Sequence, residues 1–148
     1  MKPLLKLIKA TGIWAPALVL ISHQFLHVKS YATLIDWMHH FSGGLAFSYF
    51  VWKSLPFFSR WGGTPTLPGR LTVTFLAGCT AALLWEIAEF SSDLLLNTHI
   101  QKSVQETMMD IVNGFLGTSC TILAQGFLSL NKRHHSKIHS NTISQQPL

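Results

Sequence analysis

Charge is scarce in this chain. Asp, Glu, Lys and Arg make up 11% of its 148 residues, against about 25% in an ordinary soluble domain. Hydrophobic residues make up 48%, so the chain lacks the polar surface that water demands and reads as a membrane protein. Cysteine is nearly absent. Cys79 and Cys120 stand singly inside apolar runs, with no CxxC or zinc-ribbon spacing, which excludes a disulfide framework and leaves them as small packing residues. There is no HExxH, no Glu-x-x-His of the di-iron bundles and no internal repeat. The formal charge is +5, but the basic residues are scattered between apolar runs. They form no basic stripe with interleaved aromatics, so a nucleic-acid partner is not expected.

What is present is four apolar runs, near residues 4–26, 35–56, 71–95 and 106–130. Each supplies the ~20 residues that cross a bilayer. The expected fold class is therefore all-α, a bundle of four transmembrane helices over residues 1–130, followed by a polar, basic, disordered tail over 131–148. In the first run Pro16 is a candidate kink. Lys2, Lys6 and Lys9 ahead of Ile13–Ile21 also suit a signal peptide, but no small-x-small cleavage site follows, so a retained helix is expected. The segment 57–70, with Phe57, Phe58, Trp61, two prolines and a Gly pair, reads as an interfacial turn.

The basic residues orient the bundle. With the N-terminus inside, nine of the eleven Lys and Arg residues are cytoplasmic and only Lys29 and Lys102 are outside, a positive-inside bias that puts both termini in the cytoplasm. All six acidic residues, Asp36, Glu86, Glu89, Asp93, Glu106 and Asp110, then share the outer side with His23, His27, His39, His40 and His99. Ionisable groups at membrane depth are costly and normally face a bundle interior or a watery cavity.

Helical spacing gathers these groups. Asp36, His39, His40 and Gly43 fall at i, i+3, i+4 and i+7; Glu86, Glu89 and Asp93 at i, i+3 and i+7; Glu106, Asp110, Asn113 and Gly117 at i, i+4, i+7 and i+11. Each set is one helix face. Gly43, Gly44, Gly114 and Gly117 allow the helices to approach closely. Some members have plainer readings. Thr33-x-x-Asp36 and Ser103-x-x-Glu106 match capping boxes, so Asp36 and Glu106 are open to a capping or a site role. His23 and His27 suit an interfacial position, His99 a loop, and Asp93 a solvated helix end.

Glu86 and Glu89 resist such readings, because two carboxylates one turn apart in an apolar helix cannot both stay charged and unpaired. They need a cation, a proton or a basic partner, and with only Lys29 and Lys102 as permanent positive charges on the outer side, a metal ion or a protonated histidine is the expected counter-charge. Glu86, Glu89, Asp110 and His39 form a candidate metal shell of O and N donors suited to Zn, Mn or Fe. Glu86, Glu89 and His39 are the candidate catalytic groups, and Asp36, His40 and Asn113 the candidate binding groups. Asn113 is expected one turn deeper, bonded to a carboxylate.

Three blocks carry a family resemblance: Asp36-Trp-Met-His39-His40-Phe41-Ser42-Gly43-Gly44, Trp85-Glu86-Ile-Ala-Glu89, and Asp110-Ile-Val-Asn113-Gly114-Phe-Leu-Gly117. Together they resemble the VanZ-like small multi-span membrane proteins and their bacterial inner-membrane relatives. The resemblance covers residues 33–120 and implies a multi-pass protein of the bacterial inner membrane with Asp36, His39, Glu86, Asp110 and Asn113 as site positions. This chain departs from that pattern in having Glu89 where such sequences have Gln, and in lacking their arginine before the last-helix Asp.

Three functions compete. The first is a metal-dependent hydrolase or transferase acting on an anionic, lipid-linked or envelope substrate, with membrane lipid as its surroundings. The second is a non-catalytic cation or proton binder. The third is an accessory membrane protein that uses its polar faces to hold a partner helix.

Overall fold

The computed structural model describes residues 2–27 and 33–144, with side chains described for 3–23, 34–59, 61–132, 134 and 135. Every regular element among them is a helix. They are α1 (Lys2–Thr11), α2 (Trp14–His27), α3 (Thr33–Gly62), α4 (Leu67–Leu96) and α5 (Val104–Ser144). The side chains of His27, Thr33, Arg60, Arg133 and Lys137, and Lys29 altogether, lie outside the described residues.

The first apolar run is two helices rather than one kinked at Pro16. The break falls at Gly12, whose φ of +72 lies in the left-handed region that glycine enters without a Cβ penalty. Gly12 also packs against Tyr49, where a Cβ would come within 2.7 Å of the ring. The two halves meet at 84°. Pro16 stays inside the first turn of α2, where its missing N–H costs nothing.

The second run also differs from expectation. Helix α3 continues through Pro56 to Gly62, so the turn before α4 shrinks to residues 63–66. Thr66 then caps α4, its hydroxyl accepting from the Gly69 N–H at 3.4 Å. Phe58 and Trp61 are carried outward on the helix end, and Trp61 is 93% exposed.

Helix α3 is the hub. It packs mainly on α5, then on α4, and then on α2 and α1, and α4 also packs on α5. The core is made of small and hydroxylic residues. Ala46, Ser48, Thr74, Thr118 and Thr121 are buried, while Leu18, Ile21, Leu83, Ile87, Leu116 and Leu123 are exposed. That arrangement inverts a water-soluble protein and is what lipid surroundings favour. Gly44 lies on the Gly114 carbonyl, Gly117 on the Phe41 carbonyl, and Gly78 on Ser48 and Thr118. At each of these a Cβ would overlap the neighbouring helix. Hydroxyls bind the contact: Ser48 Oγ donates to Thr118 Oγ1 at 3.2 Å, and Thr121 Oγ1 to the Leu45 carbonyl at 3.0 Å.

Helix α4 and the Val104–Lys132 part of α5 are long and apolar enough to cross a membrane, with mean hydropathies of 1.6 and 1.3. The bent α1–α2 pair meets the same test when taken as one broken span. Helix α3 has 30 residues, or about 45 Å at ~1.5 Å per residue, but its inward-facing polar side chains dilute its hydropathy.

Candidate functional site

Three polar faces meet where α3, α4 and α5 come together. At their centre is His40, held on α3 one turn from the Gly44–Gly114 contact that draws α5 close. Its Nδ1 lies 3.1 Å from Glu86 Oε1 on α4. Its Nε2 lies 3.7 Å from Asp36 Oδ1 on α3 and 3.9 Å from Asp110 Oδ1 on α5. Glu86 is 3% exposed and Asp110 4%. Glu86 Oε1 and Asp110 Oδ1 have no aligned hydrogen bond among the described residues, although both face the imidazole.

The neighbouring groups fix this geometry. Gln101 Nε2 donates to the Glu86 carbonyl at 3.1 Å and reaches Glu86 Oε2 at 3.5 Å. One carboxylate oxygen is thereby occupied and the other left facing His40. The Trp85 indole N–H donates to Glu89 Oε1 at 2.8 Å, which turns Glu89 along its own helix. Asp93 organises the loop that delivers Gln101. It accepts from Thr98 Oγ1 and the Ile100 N–H, both at 2.6 Å, and from the Gln101 N–H at 2.8 Å. Asn97 and His99 take positive φ in this loop, and Asn97 gives the left-handed end to α4 that commonly closes a helix.

The donors form two sets that share one imidazole. His40, Glu86 and Glu89 each offer a ligand atom within 4.8 Å of the others, and so do Asp36, His40 and Asp110. The expected single shell of Glu86, Glu89, Asp110 and His39 is thus divided, with one set on each ring nitrogen of His40. Mixed carboxylate and imidazole donors are of the kind that suits Zn, Mn or Fe, and the two buried carboxylate oxygens face the His40 imidazole.

Other expected residues lie elsewhere. His39 points away from the cluster toward His23, with ring centroids 5.6 Å apart, and His23 in turn meets Trp85 at 5.3 Å. Asn113 donates to the Met109 carbonyl of its own helix at 2.8 Å, not to a carboxylate. Glu106 caps α5: its N–H donates to Ser103 Oγ at 3.1 Å, and its carboxylate accepts from the Lys102 N–H and pairs with Lys102 Nζ at 3.0 Å. That carboxylate raises the Lys102 pKa above its ordinary value. Gln101 and Trp85 were not foreseen. Gln101 sits in a loop with no periodic pattern, and an indole in an apolar helix gives no sign of its hydrogen bond.

Beside the cluster lies a cavity of ≈ 400 Å³ between α2, α3 and α4. His23, His39, His40 and Trp85 line one end; Pro16, Phe47 and Ala81 lie toward the other.

Residues 9–131 match the family described as "Predicted membrane protein (DUF2238)". The chain belongs to the DUF2238 family. An uncharacterized protein of Thermotoga maritima is 34% identical to this DUF2238 chain over 109 residues, 68% of the chain and 56% of the relative. The chain therefore spans a little over half the length of that curated relative. No solved structure matches it. The match to the DUF2238 family takes in α2, α3 and α4 complete and α5 to residue 131, so every residue of the two donor sets lies inside it.

Proposed function

We propose that this membrane protein holds a divalent cation at His40 and uses it on an anionic, lipid-linked substrate of the outer leaflet. One observation carries the reading: Glu86 Oε1 and Asp110 Oδ1, each on a nearly fully buried residue, converge on the two nitrogens of one imidazole outside any aligned hydrogen bond. One imidazole can carry at most one positive charge among Asp36, Glu86, Glu89 and Asp110, buried charge short of counter-charge is strongly destabilising, and a divalent cation is the further partner that this donor set fits.

In this reading the chain crosses the bacterial inner membrane four times, with α3 as the second crossing and its polar residues turned into the bundle. Both termini are cytoplasmic and the cluster opens outward, as the distribution of Lys and Arg favours. The VanZ-like blocks around Asp36, Glu86 and Asp110 agree with such a multi-pass site.

A bound cation would supply a Lewis acid and an acidified water for hydrolysis or group transfer. The chain's own residues have separate tasks. His40, Glu86 and Glu89 hold the cation from the α4 side; Asp36 and Asp110 hold the other face of the imidazole. Gln101 keeps Glu86 aimed. Glu89, steadied by the Trp85 indole, would serve either as a third ligand or as the proton acceptor beside the site.

The test is metal analysis of the detergent-purified chain beside its Glu86→Gln variant, together with outer-leaflet lipid analysis of a deletion strain. About one bound divalent ion per chain, lost in the variant, is expected. A folded Glu86→Gln protein with undiminished metal and full complementation would refute the cation centre.

A further inference from the structure

We propose that the cavity beside His40 receives a single hydrocarbon chain of a phosphate-headed membrane lipid, with the head group at its histidine end. The walls are polarised along their length. Helix α2 presents Pro16, Val19, Leu20 and then His23; α3 runs the opposite way, from His39 and His40 to Phe47. The rings of His23 and His39 meet at one end, and Trp14 meets Tyr49 beyond the other. One end therefore offers imidazole and indole groups while the rest is aliphatic or aromatic. An amphipathic ligand matches that gradient, and a wholly polar one does not.

Size selects the occupant. The ≈ 400 Å³ of the cavity lies at the small end of ligand pockets, about 300–1,000 Å³. A partner helix, roughly 10 Å across, does not fit it, whereas one extended chain does. Surroundings agree, because Leu18 and Ile21 on α2 and Leu83 and Ile87 on α4 face outward, where lipid would meet them.

Gly43 is the second observation. It lines the cavity, yet a Cβ built there meets nothing within 4 Å. The neighbouring Gly44 and Gly114 are pressed against other helices. Packing thus accounts for Gly44 and Gly114, whereas the space over Gly43 belongs to the cavity.

His40 joins the cavity to the donor sets. Placement of the phosphate there rests on the cation centre proposed above; placement of the chain rests on the cavity alone.

Two photoactivatable probes test the site on the full chain in lipid nanodiscs: phosphatidylglycerol with a diazirine in one acyl chain, and a polyprenyl phosphate with a terminal diazirine. At least one should label Val19 or Phe47, which line the cavity and are not exposed outward, and whichever does so names the lipid source. Gly43→Leu should cut this labelling about tenfold, the loss that ~1.4 kcal/mol of binding produces, while labelling at Leu83 and Ile87 and metal content stay unchanged. If Gly43→Leu fails to fold, Ala81→Leu blocks the apolar end instead. Glu86→Gln should lose metal and keep chain labelling. Labelling confined to Leu83 and Ile87, labelling unaltered in a folded blocked variant, or capture of a second polypeptide in place of lipid overturns the chain site. Cavity labelling in a parent protein without metal instead overturns the cation centre and leaves the chain site standing.

Discussion

His40 Nδ1 faces Glu86 Oε1 at 3.1 Å across the α3–α4 interface, and neither group has water-like surroundings to fall back on. The imidazole is the shared neighbour of a second buried carboxylate, Asp110, on its opposite nitrogen. Three helices are therefore tied through one side chain. Removing that chain should be costly. His40→Ala is expected to destabilise the bundle by about 3 kcal/mol or more, the typical result of stranding a buried charge. Glu86→Gln should cost less. The double variant should fall short of the sum by about 1 kcal/mol, as contacting residues do. Reversible unfolding in mixed micelles would measure the cycle, and strict additivity would deny the contact its energetic role.

Chelation gives the second prediction. A cation that binds the folded chain at a hundred times its Kd stabilises it by about 2.7 kcal/mol. Chelator treatment should lower the thermal midpoint of the parent protein, and added Zn or Mn should restore it. Glu86→Gln should respond to neither. A parent protein indifferent to both treatments would count against a metal at His40.

The loop clamp is open to a separate test. Asp93 holds the Ile100 and Gln101 amides, and Gln101 in turn holds Glu86. Asp93→Ala should speed hydrogen exchange at those two amides. It should weaken metal binding about 10–100-fold, as the loss of outer supporting groups does elsewhere. Fast exchange with unaltered affinity would show that the loop does not aim Glu86.

Glycine neighbours should behave oppositely. Gly44→Leu and Gly117→Leu drive a side chain into the backbone of the facing helix, and folded yield should collapse. Gly43→Ala meets open space and replaces a flexible helix residue, so it should be neutral or stabilising by roughly 0.5–1 kcal/mol. Thermal melts of the purified variants distinguish these outcomes.

Topology is tested by single cysteines in a background lacking Cys79 and Cys120. Thr64→Cys, in the exposed turn between α3 and α4, should react only with reagent reaching the cytoplasmic face. Gln105→Cys, exposed at the start of α5, should react from outside. The reverse pattern would invert the bundle.

Much of this was legible in the chain. Charge scarcity and long apolar runs determined helices in lipid, because only an internally bonded backbone survives there. Periodicity determined which side chains share a face, so Glu86 with Glu89 and Asp36 with His40 needed no coordinates. Ser103-x-x-Glu106 carried its cap locally. What periodicity could not decide was the choice between His39 and His40. Consecutive helix positions point about 100° apart, and a small rotation of α3 exchanges their surroundings. The Gly44–Gly114 contact fixes that rotation, and it exists only between helices. The same holds for Gln101, brought to Glu86 by a loop that Asp93 shapes, and for Gly43, whose open space is defined by α2 and α4. The break at Gly12 was hidden because glycine is tolerated in membrane helices; only the φ of +72 and the Tyr49 ring beside it mark it as a corner. Composition and period thus determined the elements and their faces, while close packing of glycines decided which faces meet and which imidazole stands between the carboxylates.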